Sequence, residues 1–348
     1  MRTAELLAGN ERPAPCGERQ LTRVLFGLEE EIFITEPDRP TLQSLYYLAK
    51  LLWCSPRVFY AHTACNFSRG KDLRFGLMSG IEISTETHAD RQALLSDLAQ
   101  RRQALAEACP ALLVPLGHLL DHDEPTNVCG MHLHLSGMPD FDRAYRNLIY
   151  FLPLLTLIVA NAPGFGDYFY GPSYRWANSF AVGPLRDDRM YRFQDVIFSK
   201  RLGTLEIRVF DPVWDLGLIG ILLDCVEAVL TSDRSYPGSP EQYNRLRSLV
   251  AHHGYIEELN PVYRNLRGLI DLPERLFQQP PAYIVWNLFS EYGVQATYTA
   301  LDSAYRGGPL EPRDPPPVNV EWAKIAAGVC GYYLPRLPYS IRKVWQEW

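Results

Sequence analysis

The sequence predicts a sheet that packs one face on helices and keeps the other face polar. Four segments rich in β-branched and aromatic residues alternate apolar side chains with acids, imidazoles or a guanidinium. Successive side chains on a strand point to opposite faces, so each segment has one apolar and one polar side. Stretches with apolar residues at helical spacing lie between and after them. The composition, 47% hydrophobic and 21% charged over 348 residues, suffices for a core.

Residues 1–21, with Pro13, Pro15 and scattered charge, read as a loose leader, and one domain is expected over 22–348. The first strand, Arg23–Thr35, puts Glu29 and Glu31 on one face and Leu28, Ile32 and Ile34 on the other. Glu30 shares the apolar face and is left out of the site. Thr41–Leu52 has helical spacing, and His62–Phe75 is irregular. Gly80–Thr87 is the second strand, with Glu82, Ser84 and Glu86 on its polar face. Asp90 caps an amphipathic helix that reaches Cys109 and stops at Pro110.

His118 and His122 stand four apart, but Pro115, Gly117 and Pro125 hem them in, and they are read as structural. In Asn127–Gly137, Met131, Leu133 and Leu135 share one face while His132, His134 and Ser136 share the other. A buried helix follows over Asp142–Ala160, then turn residues. The loop Tyr168–Arg192 mixes Tyr168, Tyr170, Tyr174 and Trp176 with Ser173, Arg175, Asn178 and Arg186. It fits a substrate-facing loop and a packed surface loop equally. The fourth strand, Gly203–Asp211, sets Glu206 and Arg208 opposite Leu205, Ile207 and Val209. Leu216–Leu230 is helical, and beyond Pro237 the chain is helical in pieces, with Arg313–Pro317 as a surface turn.

A net charge of -6 gives no basic footprint for nucleic acid, so small-molecule partners are expected. Seven cysteines without a Cys-x-x-Cys pair indicate reduced thiols. Glu5 and Asn10 interrupt what a signal peptide would need, and the apolar run Leu148–Ala160 is too short to span a bilayer. The expectation is a cytoplasmic protein without a membrane segment; a homo-oligomer stays open.

Glu29, Glu31, Glu82, His132, His134, Glu206 and Arg208 together overload one face with carboxylates, which raise one another's pKa unless cations neutralise them. Oxygen ligands with one or two imidazoles favour magnesium or manganese over zinc, and magnesium suggests a polyphosphate. The planar fork of Arg208 matches a carboxylate or phosphate.

Gly27-Leu-Glu-Glu-Glu31, Gly80-Ile-Glu-Ile-Ser-Thr85, Gly130-Met-His-Leu-His134 and Gly203-Thr-Leu-Glu-Ile-Arg-Val209, in this order and spacing, resemble the glutamate–cysteine ligase family of the second type, the carboxylate–amine ligases. Asn147–Pro163 and Ser173-Tyr-Arg175 look like that family too, so the likeness covers residues 23 to 230. Asn127–His134 is also similar to the Asn-Gly-x-Gly-Met-His-x-His signature of glutamine synthetases, which share the fold.

The resemblance implies a single α+β catalytic domain, glutamine synthetase-like, whose curved, mostly antiparallel sheet forms a funnel for ATP, magnesium ions and an amino acid. The implied reaction moves the γ-phosphoryl group to a carboxylate, that of glutamate or a similar substrate. An amine such as that of cysteine then attacks the acyl phosphate. Residue by residue, Glu29, Glu31, Glu82, His132 and Glu206 are implied metal ligands, and His134 and Arg208 implied phosphate contacts. Arg175 is an implied substrate-carboxylate anchor and, with Ser173 two residues earlier, an implied cofactor contact. The chain departs from the family at Phe75, where an acid is expected, with Asp72 the nearest candidate, and at Lys200-Arg-Leu-Gly203. The region after 235 matches nothing in the family. Two rivals remain: a non-catalytic nucleotide-binding descendant, and a His-x-His metallohydrolase. A cupin would want a glutamate where Met138 and Pro139 stand.

Overall fold

The computed structural model describes residues 23–35, 44–59, 65–68, 80–123, 128–138, 140–177, 194–199, 204–315 and 321–347. The expected leader, Asp72 and Phe75, Asn127, the loop from 178 to 192 and the approach 200–203 lie outside them.

The strands are β1 Leu25–Thr35, β2 Cys65–Ser68, β3 Gly80–Ser84, β4 Leu112–Val114, β5 Met131–Ser136, the short β6 Gly164–Phe165 and β7 Tyr168–Phe169, β8 Val196–Ser199 and β9 Thr204–Phe210. The main sheet runs β2-β3-β1-β5-β9-β8, with β4 beside the C-terminal end of β1. Every pairing in it is antiparallel. The helices are α1 Ser44–Cys54, α2 Arg91–Ala108, α3 Phe141–Leu155, α4 Tyr174–Ala177, α5 Leu216–Thr231, α6 Pro240–His253, α7 Asn260–Arg267, α8 Arg275–Gln278, α9 Pro281–Tyr305, α10 Trp322–Tyr333 and α11 Leu337–Glu347. The fold is α+β, as expected.

Strand alternation produces the two faces as read from the sequence. Phe26, Leu28, Ile32 and Ile34 of β1, Ile81 and Ile83 of β3, Met131, Leu133 and Leu135 of β5, and Leu205, Ile207 and Val209 of β9 enter one buried cluster. Leu94, Leu98 and Leu105 of α2, the apolar residues of α3, and Ile219, Leu222 and Val226 of α5 complete it. Asp90 caps α2 by accepting from the Ala93 N–H at 2.9 Å.

Glu30 points into this core and is fully buried. The Arg102 guanidinium of α2 forks onto its carboxylate, and the Tyr305 hydroxyl of α9 donates to Oε2 at 3.0 Å. A buried carboxylate survives only when paired and hydrogen-bonded in this way. A second cluster, with Phe33, Leu112, Val114 and Cys129 against Val285, Tyr298 and Leu301 of α9, closes the far end of the polar face. Among the described residues, no helix is long and apolar enough to cross a membrane.

Candidate active site

Neighbouring strands bring the acids and imidazoles together by register. Glu31 lies opposite Glu82 across β1 and β3, Glu29 opposite His132 across β1 and β5, and His134 opposite Glu206 across β5 and β9. His132 Nδ1 is 3.4 Å from Glu29 Oε2 and 4.0 Å from Glu206 Oε1, and His134 Nε2 is 3.4 Å from Glu29 Oε1. The Arg208 guanidinium pairs with Glu206, two residues earlier on the same face. Glu31 Oε2 accepts the Gly130 N–H at 2.7 Å.

The electrostatics record the crowding. Burial opposes ionisation of Glu29, but hydrogen bonding and charge from His132 and His134 outweigh it and hold its carboxyl well below the usual range. Burial, with the charges of Glu29 and Glu31, pushes Glu82 well above that range against the pull of Arg208. Burial alone would lower His134, yet Glu29 raises it. A carboxyl forced towards its neutral form beside three others marks a face short of cations.

Glu29, His134 and Glu206 each offer one ligand atom, and these atoms all lie within 4.8 Å of one another. Oxygen-rich and partly buried, this donor set fits a hard divalent ion with one imidazole. It places His134, expected at phosphate, equally within reach of a metal.

Glu86 departs from its expected place on the strand, and Ser173 and Arg175 are engaged within the protein. Glu86 lies beyond β3, which ends at Ser84. It is exposed, with its carboxylate 3.8 Å from Arg101 and its N–H donating to Asp97. Ser173 is fully buried and bonds within the protein to Asp211. Arg175 is nearly buried, its Nη2 donating to Arg208 O at 2.8 Å and its Nη1 to Val209 O at 2.9 Å. His118 is buried, with Nδ1 donating to Leu119 O and the ring edge-on to Tyr174, in line with the structural reading.

Sequence reasoning missed Asp211, the last residue of the quoted fourth-strand segment. It is fully buried, accepts the Asn161 N–H at 2.8 Å, and is pushed up to about 6 by burial against the pull of Arg175. Its position at a strand end before Pro212 was the available signal.

No protein-family model matches the sequence, and no curated protein matches it. Among solved structures, the glutamate–cysteine ligase of Francisella tularensis in complex with AMP superposes with a TM-score of 0.59. The identity is 10%, over 91% of this chain and 94% of that one. The chain has the glutamate–cysteine ligase fold. A bifunctional glutathione synthetase from Pasteurella multocida gives a TM-score of 0.50 at 12% identity, over 82% of this chain and 48% of that one. The chain therefore spans about half of that enzyme's length. At such identities the likeness shows the fold alone, and any chemistry rests on the residues above.

Proposed function

We propose that the chain is an ATP- and magnesium-dependent carboxylate–amine ligase that joins a glutamate γ-carboxylate, or a close analogue, to an amine such as that of cysteine. The observation that carries this reading is the convergence of Glu29, Glu31, Glu82, His132, His134, Glu206 and Arg208 on one face of a sheet with this fold. Glu29, Glu31, Glu82, His132 and Glu206 would hold magnesium, with manganese as an alternative. When bound, the metal supplies positive charge to the polyphosphate.

The chain's own residues position and neutralise. In the first step a substrate carboxylate oxygen attacks the γ-phosphorus and ADP leaves, giving an acyl phosphate. In the second the amine attacks the acyl carbon, phosphate leaves, and the amide forms with loss of a proton. Arg208, half-exposed beside Glu206, presents a fixed cation to phosphoryl oxygens, and His134 lends a ring with a raised proton affinity. No protein nucleophile is required.

ADP release over a panel of carboxylate and amine pairs tests the proposal, with Glu29→Gln and Glu206→Gln as controls. Release should depend on both substrates and fall by about a hundredfold or more in each control, the scale for lost electrostatic stabilisation. ATP binding without release for any pair would instead favour a non-catalytic descendant.

A further inference from the structure

The structure departs from a regular ladder where β5 meets β9. Leu133 pairs with Ile207 but Met131 with Phe210, so two residues of β9 lie between these pairs where one lies on β5. A bulge over Arg208 and Val209 thus stands opposite His132. Bulged carbonyls lose ladder partners, and in a buried setting each must find a donor.

Arg175 supplies them. Its Nη2 donates to Arg208 O at 2.8 Å, and its Nη1 reaches Val209 O at 2.9 Å, Phe210 O at 3.3 Å and Asp211 Oδ1 at 3.4 Å. The Trp176 indole adds a bond to Val209 O at 2.7 Å. Only a planar guanidinium offers so many donors in one fork.

The surroundings are shaped around this fork. A Cβ on Gly130 would lie 2.3 Å from Arg175 Nη2, and one on Gly117 would lie 2.5 Å from Asp211 Oδ1. Gly130 immediately precedes β5 and its N–H binds Glu31, so the guanidinium lies where three strands carrying site residues converge.

We propose that Arg175, backed by Asp211, is a positioning residue: it holds the β9 bulge and thereby sets Arg208 and Glu206 against His132, instead of binding the substrate carboxylate. This deepens the ligase reading and rests on it for its kinetic consequence. The backbone consequence stands independently.

Arg175→Lys keeps the charge but not the fork, and two measurements read the result. Hydrogen exchange of the β9 amides, with no ligand added, should speed up by about tenfold or more, while Glu206→Gln leaves them near the parent rate. In steady-state assays kcat should fall by about a hundredfold, as expected for misplaced groups, with KM for the carboxylate substrate within about twofold of the parent. A raised KM with kcat retained would identify a substrate anchor and overturn the proposal, as would unchanged exchange in β9. If the parent itself releases no ADP with any pair, the ligase reading fails and the exchange measurement still decides the role of Arg175. Should Arg175→Lys not fold, Asp211→Asn, which keeps the volume and the Asn161 bond but loses the charge, is expected to give the same two changes. Parent-like exchange in that variant overturns the proposal equally.

Discussion

At the residue scale, Glu29 and His134 make the site's acid–base behaviour testable without substrate. The folded carboxyl of Glu29 sits below its ordinary value of 4.5, so its contribution to stability is present above that value and is lost as pH falls through the folded one. His134 is raised above its ordinary 6.5, so its contribution is present below 6.5 and is lost as pH rises through the folded value. The pair therefore favours the folded state most strongly between those two ordinary values. Raised Glu82 imposes a decline in stability as pH rises over the same span, so thermal melts of the metal-free protein from acid to mildly alkaline pH should show the pair as a hump on that decline, and Glu29→Gln should flatten it. An equally peaked profile in the variant would remove Glu29 as its source.

At the scale of elements, side-chain alternation was readable because it is a local code. The facing of Glu29, Glu31, Glu82, His132, His134 and Glu206 follows from strand parity, whereas Arg208 lies in the bulge. What ends a strand is not local, and Glu86 shows it. The alternation in sequence runs on to Thr87, yet the Thr85 hydroxyl accepts the Leu28 N–H at 3.0 Å and His88, where regular register would put Thr87, bridges Phe26, so an extra residue in this stretch breaks the alternation at Glu86. The β9 bulge and the guanidinium that serves it were unreadable for the same reason, because their partners lie over thirty residues away. Manganese titration separates the two acids. Glu82→Gln should weaken binding by at least about tenfold, the lower end for groups that merely support metal ligands, while Glu86→Ala should match the parent. Equal losses in both would contradict the strand boundary at Ser84.

At the scale of the whole molecule, the buried Glu30–Arg102–Tyr305 contact ties the strand that carries Glu29 and Glu31 to α2 and to α9, elements far apart in sequence. Arg102→Ala would leave an uncompensated buried carboxylate and should cost about 3–5 kcal/mol in urea unfolding. Replacing Glu30 and Arg102 together by apolar residues of similar volume should recover much of that loss. A negligible change in the single variant would show that Glu30 reaches solvent. The contact also gives the three consecutive glutamates a meaning beyond charge. Sliding β1 by one residue would turn Glu29 and Glu31 into the helical layer, lift Glu30 out to the polar face, and strand Arg102 without its carboxylate. A misaligned chain would pay on both sides of the sheet at once, so Glu29-Glu30-Glu31 works as an alignment key, admitting only the pairing in which the site is assembled.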